Sequence, residues 1–394
     1  MPVPDFARRA SYAFCLLFLF GAALGASEPA AVLLGGNPEQ WGKAVQERGW
    51  RLVVPPAMPS PLWTEAGAQA LQSYLRDPAK SGLADSNGAY LIAVGDGATA
   101  AFYLASRMPD LWRAVLAIGG NPKIAIDTNR LYAANTQLAP VLWIVPPATR
   151  ADIEPLRHKF SVANYNVEMP SGEGFTVGQA LDWMASKRRD PVPYKIDCET
   201  GSSAFPRCYW AEIVKFDPAR RNDAVPSTRV PPGSGASLGL GGFGFDPAAP
   251  GPGLLIGFLP PDYKGKLKLG DRIVSVGGKA IRDAPDYLET MDQAKEEKTI
   301  AVLVQRGKDR LRIETRISLP QREELLTARL QAEFVLDGRV LQVVSRNIAA
   351  VRLRIPDAWV PSTANWNGSE VGPVPNAGCW LLSDQNGPRL APCQ

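Results

Sequence analysis

Few residues in this chain could make or break a covalent bond. A continuous apolar run, Ala89-Tyr90-Leu91-Ile92-Ala93-Val94, ends on Gly95-Asp96-Gly97 and leads into a segment with helical spacing. A nucleophile on such a strand-to-helix turn would stand at Gly95, and glycine has no oxygen or sulfur with which to attack a carbonyl. The neighbouring Asp96 carboxylate is the other conceivable attacking group. General-base work near neutral pH favours an imidazole. The sequence holds a single histidine, His158, in a stretch that reads as a surface helix. No Cys-x-x-Cys pair occurs, and His158 is far in sequence from every cysteine. No metal site and no cofactor is therefore expected.

The elements that must carry these residues follow from the wider pattern. A chain of 394 residues can form two or three domains. With 45% apolar and 21% charged residues, a packed core is expected rather than disorder. The net charge of +4 is small for this length and gives no reason to expect nucleic acid or an acidic membrane as a partner. Arg8 and Arg9, the apolar run Tyr12 to Leu24, and the small residues Ala23, Gly25 and Ala26 read as a secretory signal peptide over 1–26. A membrane partner is expected only if that segment is retained. The expected location is exported, either periplasmic or extracellular. Four cysteines then remain, and three pairings are open to them. Cys198–Cys208 and Cys379–Cys393 are favoured, because each pair is close in sequence and brackets a turn.

Residues 30–190 alternate apolar runs with helical patterns. Strands are expected at 30–36, 50–56, 89–94, 114–120, 140–147 and 164–170, with helices at Gln40 to Arg48, Glu65 to Arg76 and Val177 to Lys187. Strands that are apolar on both faces and separated by helices predict an α/β fold, a doubly wound parallel sheet covered on both sides. After Pro191, the segments 193–200 and 207–216 alternate like the two arms of a hairpin. The Pro, Gly, Ser and Arg rich stretch 217–237 reads as a linker. A compact module follows at 238–320. Its helix has Asp283 as N-cap and an apolar face of Leu288, Met291 and Ala294, and a hairpin turns at Gly307-Lys308. Strand-like alternation resumes at 325–394, with a turn at Asp337-Gly338.

The stretch 84–120 resembles the α/β-hydrolases, specifically the esterase branch of polyhydroxybutyrate-depolymerase-like and dipeptidyl-peptidase-like enzymes. Asp85, Asn87, Tyr90, Leu91, Gly97, Ala101, Leu104, Ala105, Pro109 and Asp110 match that pattern. The resemblance runs over roughly 30–215 and implies a catalytic triad. The nucleophile position falls on Gly95, and the preceding family glycine falls on Ala93. The acid falls on Arg150 or Asp152. The histidine falls in 171–175, around Glu173, where there is none. The resemblance therefore implies a hydrolase body with no catalytic residues.

Residues 238–319 resemble a PDZ domain, through Gly242-Phe243-Gly244-Phe245 and the run Leu269-Gly270-Asp271 with Ile273, Val274 and Val276. That resemblance implies a groove that adds a peptide as a strand, with the terminal carboxylate held by the amides of Phe243, Gly244 and Phe245. Phe243, Phe245, Leu288 and Met291 would line the pocket for the last side chain. The frame is shared with Gly239-Leu240-Gly241-Gly242.

Esterases of the same branch carry a small β domain, which this chain resembles in two separated pieces. Tyr209, Trp210, Glu212 and Ile213 match the first; Asn347, Ile348, Val351, Leu353, Ile355, Pro356, Asn367 and Gly368 match the second. A discontinuous β-sandwich, 194–216 plus 325–394, with the PDZ module inserted in one of its loops, is expected. Trp359, Trp366 and Trp380 read as its core or edge cover. The expected function is a non-catalytic exported protein that recognises peptide or protein C-termini. One alternative is a divergent esterase or peptidase with an unrecognised active site. The other is a carbohydrate-binding envelope protein using the three tryptophans as a platform.

Overall fold

The computed structural model describes residues 28–83, 88–128, 130–170, 175–232, 235–246, 249–320, 325–384 and 387–393. The expected signal peptide and the region around Glu173 lie outside them.

The first unit alternates strands β1 (Ala30–Leu34), β2 (Arg51–Val53), β3 (Ala89–Val94), β4 (Trp112–Ile118), β5 (Val141–Ile144) and β6 (Val167–Glu168) with helices. These helices are α1 (Pro38–Gln46), α2 (Glu65–Leu75), α3 (Pro78–Ser81), α4 (Asp96–Arg107), α5 (Lys123–Asp127), α6 (Ala133–Leu138), α7 (Arg150–Val162) and α8 (Val177–Ser186). The strands form one parallel sheet in the order β2-β1-β3-β4-β5-β6. Side chains alternate across a strand, so the continuous apolar runs feed two cores. Val32, Leu34, Leu91 and Val115 pack with Leu71, Phe102 and Phe160 from α2, α4 and α7. Ala31, Leu33, Ile92 and Leu116 pack with Trp41, Val45, Leu181 and Met184 from α1 and α8. Strand order reverses between β1 and β3, and such a switch opens a crevice at the carboxyl ends of the strands.

Next come β7 (Lys195–Thr200), β8 (Arg207–Cys208) and β9 (Ala211–Phe216). The third part holds β10 (Ser237–Leu238), β11 (Gly244–Phe245), β12 (Leu254–Phe258), β13 (Arg272–Val276), β14 (Lys279–Ala280), α9 (Ala284–Asp292), β15 (Glu297–Arg306) and β16 (Asp309–Ser318). The chain ends with β17 (Ala328–Val335), β18 (Val340–Arg346), β19 (Ile348–Ile355), β20 (Ser362–Trp366), β21 (Ser369–Val374), β22 (Gly378–Asp384) and β23 (Pro388–Pro392).

The two arms expected as a hairpin do not pair with each other. β7 pairs with β17 in the sheet β21-β20-β18-β17-β7, and β9 pairs with β19 in the sheet β23-β22-β19-β9-β8. Ile196 and Cys198 of β7 share one core with Ala211 and Ile213 of β9. The two strands thus face each other through the core instead of lying edge to edge. Alternation identifies a half-buried strand but not its neighbour. Cys198–Cys208 joins the two sheets and Cys379–Cys393 joins β22 to the end of β23, with Cα separations of 6.3 and 5.3 Å.

The segment expected as a linker is packed over 217–232. Val225 and Val230 are buried. Ser227 Oγ, the amide and hydroxyl of Thr228, and Thr327 Oγ1 all donate to the buried Glu199 carboxylate. An antiparallel bridge, Arg229 with Tyr132, adds to the hold, Val230 N donating to Leu131 O and Ala133 N to Thr228 O at 2.9 Å each. Trp359, Trp366 and Trp380 are buried in the core. A carbohydrate platform needs exposed ring faces, so these three do not form one.

Candidate functional site

The turn after β3 is built by backbone geometry. Gly95 has φ 61° and ψ −122°, outside the regions open to ordinary side chains, and its N–H donates to Ile118 O at 3.0 Å. A Cβ on Gly95 would meet nothing within 4 Å. Its neighbours are different. A Cβ on Gly97 would lie 2.2 Å from Leu34 O, and one on Gly35 2.5 Å from Val94 O. Glycine at these two positions lets the end of β1 and the start of α4 touch. A cleft of about 520 Å³ adjoins the turn, lined by Gly35, Met58, Trp63, Asp96, Gly97 and Ala100.

The positions weighed for chemistry in the sequence do not converge there among the described residues. Gly95 brings no side chain. His158 and Arg150 are both exposed on α7. Asp96 is exposed at the first position of α4. Glu173 lies outside the described residues. Asp110, which the motif singled out, is buried as a structural carboxylate. Arg76 Nη2 reaches both its oxygens, at 3.0 and 2.8 Å.

The second candidate is the groove of the 238–320 module. Its sheet runs β10-β16-β15-β13-β12-β11, so β11 is an edge strand whose one partner among the described residues is β12. Asp283 caps α9 as expected, its side chain accepting from Asp286 N at 2.9 Å. The rings of Phe243 and Phe245 contact Tyr287, with centroids 6.5 and 6.2 Å apart. This sets α9 beside β11.

The inward face of α9 differs from the expected one. It consists of Ala284, Tyr287 and Met291, all buried, at spacing i, i+3 and i+7. Leu288 is 44% exposed and Ala294 is only partly buried. Met291 is therefore core, Leu288 stands on the rim, and Tyr287 was the missed contributor. Its spacing from Ala284 and Met291 was the signal. Burial pushes the Tyr287 phenol up to about 12.

The glycine loop ahead of β11 is pinned from one side. Tyr263 O–H donates to Leu240 O at 2.6 Å, and Gly241 takes φ 83°. A hollow of about 460 Å³ beside the loop is lined by Gly241 and Gly242, by the acids Asp262 and Glu314 and by the bases Lys264 and Lys266.

Asp271, the acid of the Leu-x-x-Gly-Asp run, holds the module's turn to its hairpin. Its carboxylate, 1% accessible, receives Arg306 Nε and Nη2 at 2.8 Å each and Lys268 N at 2.7 Å. Burial by itself would raise its pKa. The hydrogen bonds from Arg306 and from the Lys268 amide outweigh that and hold it below the ordinary value.

The sequence pattern of the PDZ domain matches residues 258–317. The match runs from the end of β12 through most of β16. It includes Leu288 and Met291 and leaves Gly242 to Phe245 outside. No curated protein matches the chain. A PDZ domain points to a peptide or protein partner.

Proposed function

We propose that this chain is a non-catalytic exported protein whose PDZ groove takes up the C-terminal end of a peptide or protein. The observation that carries this reading is the open edge of β11 beside α9, inside a PDZ fold. An incoming strand adds to β11. Its carboxylate meets the amides of Phe243, Gly244 and Phe245, next to Gly242. Phe243, Phe245 and Leu288 receive the last apolar side chain, and Met291 backs the pocket from the core.

The rest of the chain is a hydrolase body without its chemistry, at 30–190, followed by a β-sandwich of 194–216 plus 325–394 that carries the PDZ domain as an insertion. The strand order, the backbone of Gly95 and the close approach at Gly35 and Gly97 support the first part. The pairing of β7 with β17 and of β9 with β19 supports the second. Two disulfides fit an oxidising compartment.

A divergent esterase or peptidase is the second reading, favoured by the cleft beside Asp96. Two experiments decide. Fluorescence polarisation with a peptide library of free C-termini is expected to find binders that amidated copies do not match. Equal binding of the amidated peptides would end the groove reading. Turnover of an acyl ester, with a covalent adduct mapped to 30–190, would establish the second reading instead.

A further inference from the structure

Another cleft, of about 850 Å³, opens at one end of the sheet β23-β22-β19-β9-β8. It is separate from the PDZ groove and from the turn at Gly95, and none of the roles described so far uses it. Arg352 and Arg354 stand two residues apart on β19, on one face of the sheet and about 7 Å apart along the strand. Arg352 is committed, with Nη1 2.8 Å from Glu212 Oε2. Arg354 is exposed and has no acidic partner among the described residues. Its backbone is fixed by its amide, which donates to Trp210 O at 2.7 Å.

The walls are held in advance. The Cys379–Cys393 disulfide lines one side. On the other side Cys208, tied to Cys198, leads directly into Tyr209. Tyr209 has φ 54°, a left-handed conformation that a bulky residue rarely holds without reinforcement. That reinforcement is visible. Its hydroxyl donates to Leu138 O at 3.3 Å, and the Arg189 guanidinium lies 4.8 Å over its ring. A cleft already ordered costs little to fill.

We infer that this cleft binds a small organic acid. An apolar or aromatic body lies against Pro191, Val192 and Pro356, and its carboxylate meets Arg354. The size suits a small molecule, and a lining that mixes apolar side chains with two arginines suits an amphipathic one. One uncommitted guanidinium fork matches one carboxylate in a bidentate pair. A phosphate dianion would call on Arg352 as well, which Glu212 already holds.

The test uses the whole chain and four probes: 2-naphthoate, octanoate, 2-naphthamide and inorganic phosphate, titrated by calorimetry. Both carboxylates are expected to bind, and the neutral amide to bind far more weakly. Arg354→Gln is expected to weaken naphthoate by about tenfold, the worth of a charged hydrogen-bond pair, with Arg354→Lys in between. Glu212→Gln, which releases Arg352, is expected to tighten naphthoate severalfold. Unchanged melting temperatures establish that the variants fold. Equal affinity for naphthoate and naphthamide, an unaffected Arg354→Gln, tighter binding of phosphate than of either acid, or no binding at all would each overturn the assignment.

Discussion

Gly95 and Gly97 are two residues apart and obey opposite constraints. Gly95 is strained in its dihedrals but faces open space, whereas Gly97 is crowded by the backbone of Leu34. Gly95→Ser is therefore expected to fold, at a cost of about 1–3 kcal/mol for the left-handed φ. It should show no ester turnover above background, because no imidazole is brought to the turn among the described residues. Denaturant unfolding and a nitrophenyl-ester assay check both halves. Gly97→Ala is expected to cost about 3 kcal/mol or more, since a backbone oxygen cannot move aside as a side chain can.

Asp271 gives a pH signature. Its pKa is lowered in the folded state, so its contribution is fully present above the unfolded value, near 4, and is lost as pH falls through the folded value. The PDZ domain should therefore lose stability as pH drops below about 4. Asp271→Asn should flatten that dependence while costing about 1.5–3 kcal/mol at neutral pH, read from urea melts.

Helix α9 shows how an element can be legible at its ends and ambiguous around its circumference. Asp283 and Pro285 announce the start, because a carboxylate accepts the free amide of Asp286 and proline needs no N–H in the first turn. The face is harder to read. Tyr287 and Leu288 are adjacent, both are large, and either could point inward. The rings of Phe243 and Phe245 select Tyr287. Leu288→Asp should therefore leave the melting temperature nearly unchanged while weakening C-terminal peptides by about tenfold or more. Met291→Asp should unfold the domain, since it places a charge in the core. Peptide titration alongside thermal melts separates the two outcomes; loss of folding in Leu288→Asp would sink this account of the face.

For the chain as a whole, the proposed insertion has a geometric requirement that the structure meets. Ser237 and Ser318 are paired across β10 and β16, so the two ends of the module lie side by side. Replacing 238–317 by a short Gly-Ser connection is expected to leave a folded chain with both disulfides formed. Residues 235–320 alone are expected to fold on their own core of Leu254, Ile273, Val302 and Val304. The Lys159–Asp292 pair between α7 and α9 is partly exposed and is not expected to decide either outcome. Circular dichroism and mass spectrometry of the two proteins test this, and an unfolded remainder would exclude the insertion.

The apolar runs and their flanking glycines determined the central strands β1, β3, β4 and β5, because a strand buried on both faces is written almost wholly in apolar residues; the outer strands β2 and β6 are shorter and less buried than their expected spans. The Leu-x-x-Gly-Asp run and the capping pair at Asp283 and Pro285 determined the PDZ domain. The spacing of the cysteines favoured Cys198–Cys208 and Cys379–Cys393 among three open pairings, and the structure has these two. Tertiary structure alone decided which strands are neighbours: Ile196 and Ile213 alternate alike, yet they meet through a core and not across a ladder. It alone decided that the proline-rich stretch at 217–232 is held in place, because the groups that hold it, among them Glu199, Tyr132, Arg329 and Asn347, are scattered along the sequence. It also decided that Arg354 is uncommitted while Arg352 is not. Local patterns report which side of an element is buried, but what lies opposite depends on contacts between residues that the chain order keeps far apart.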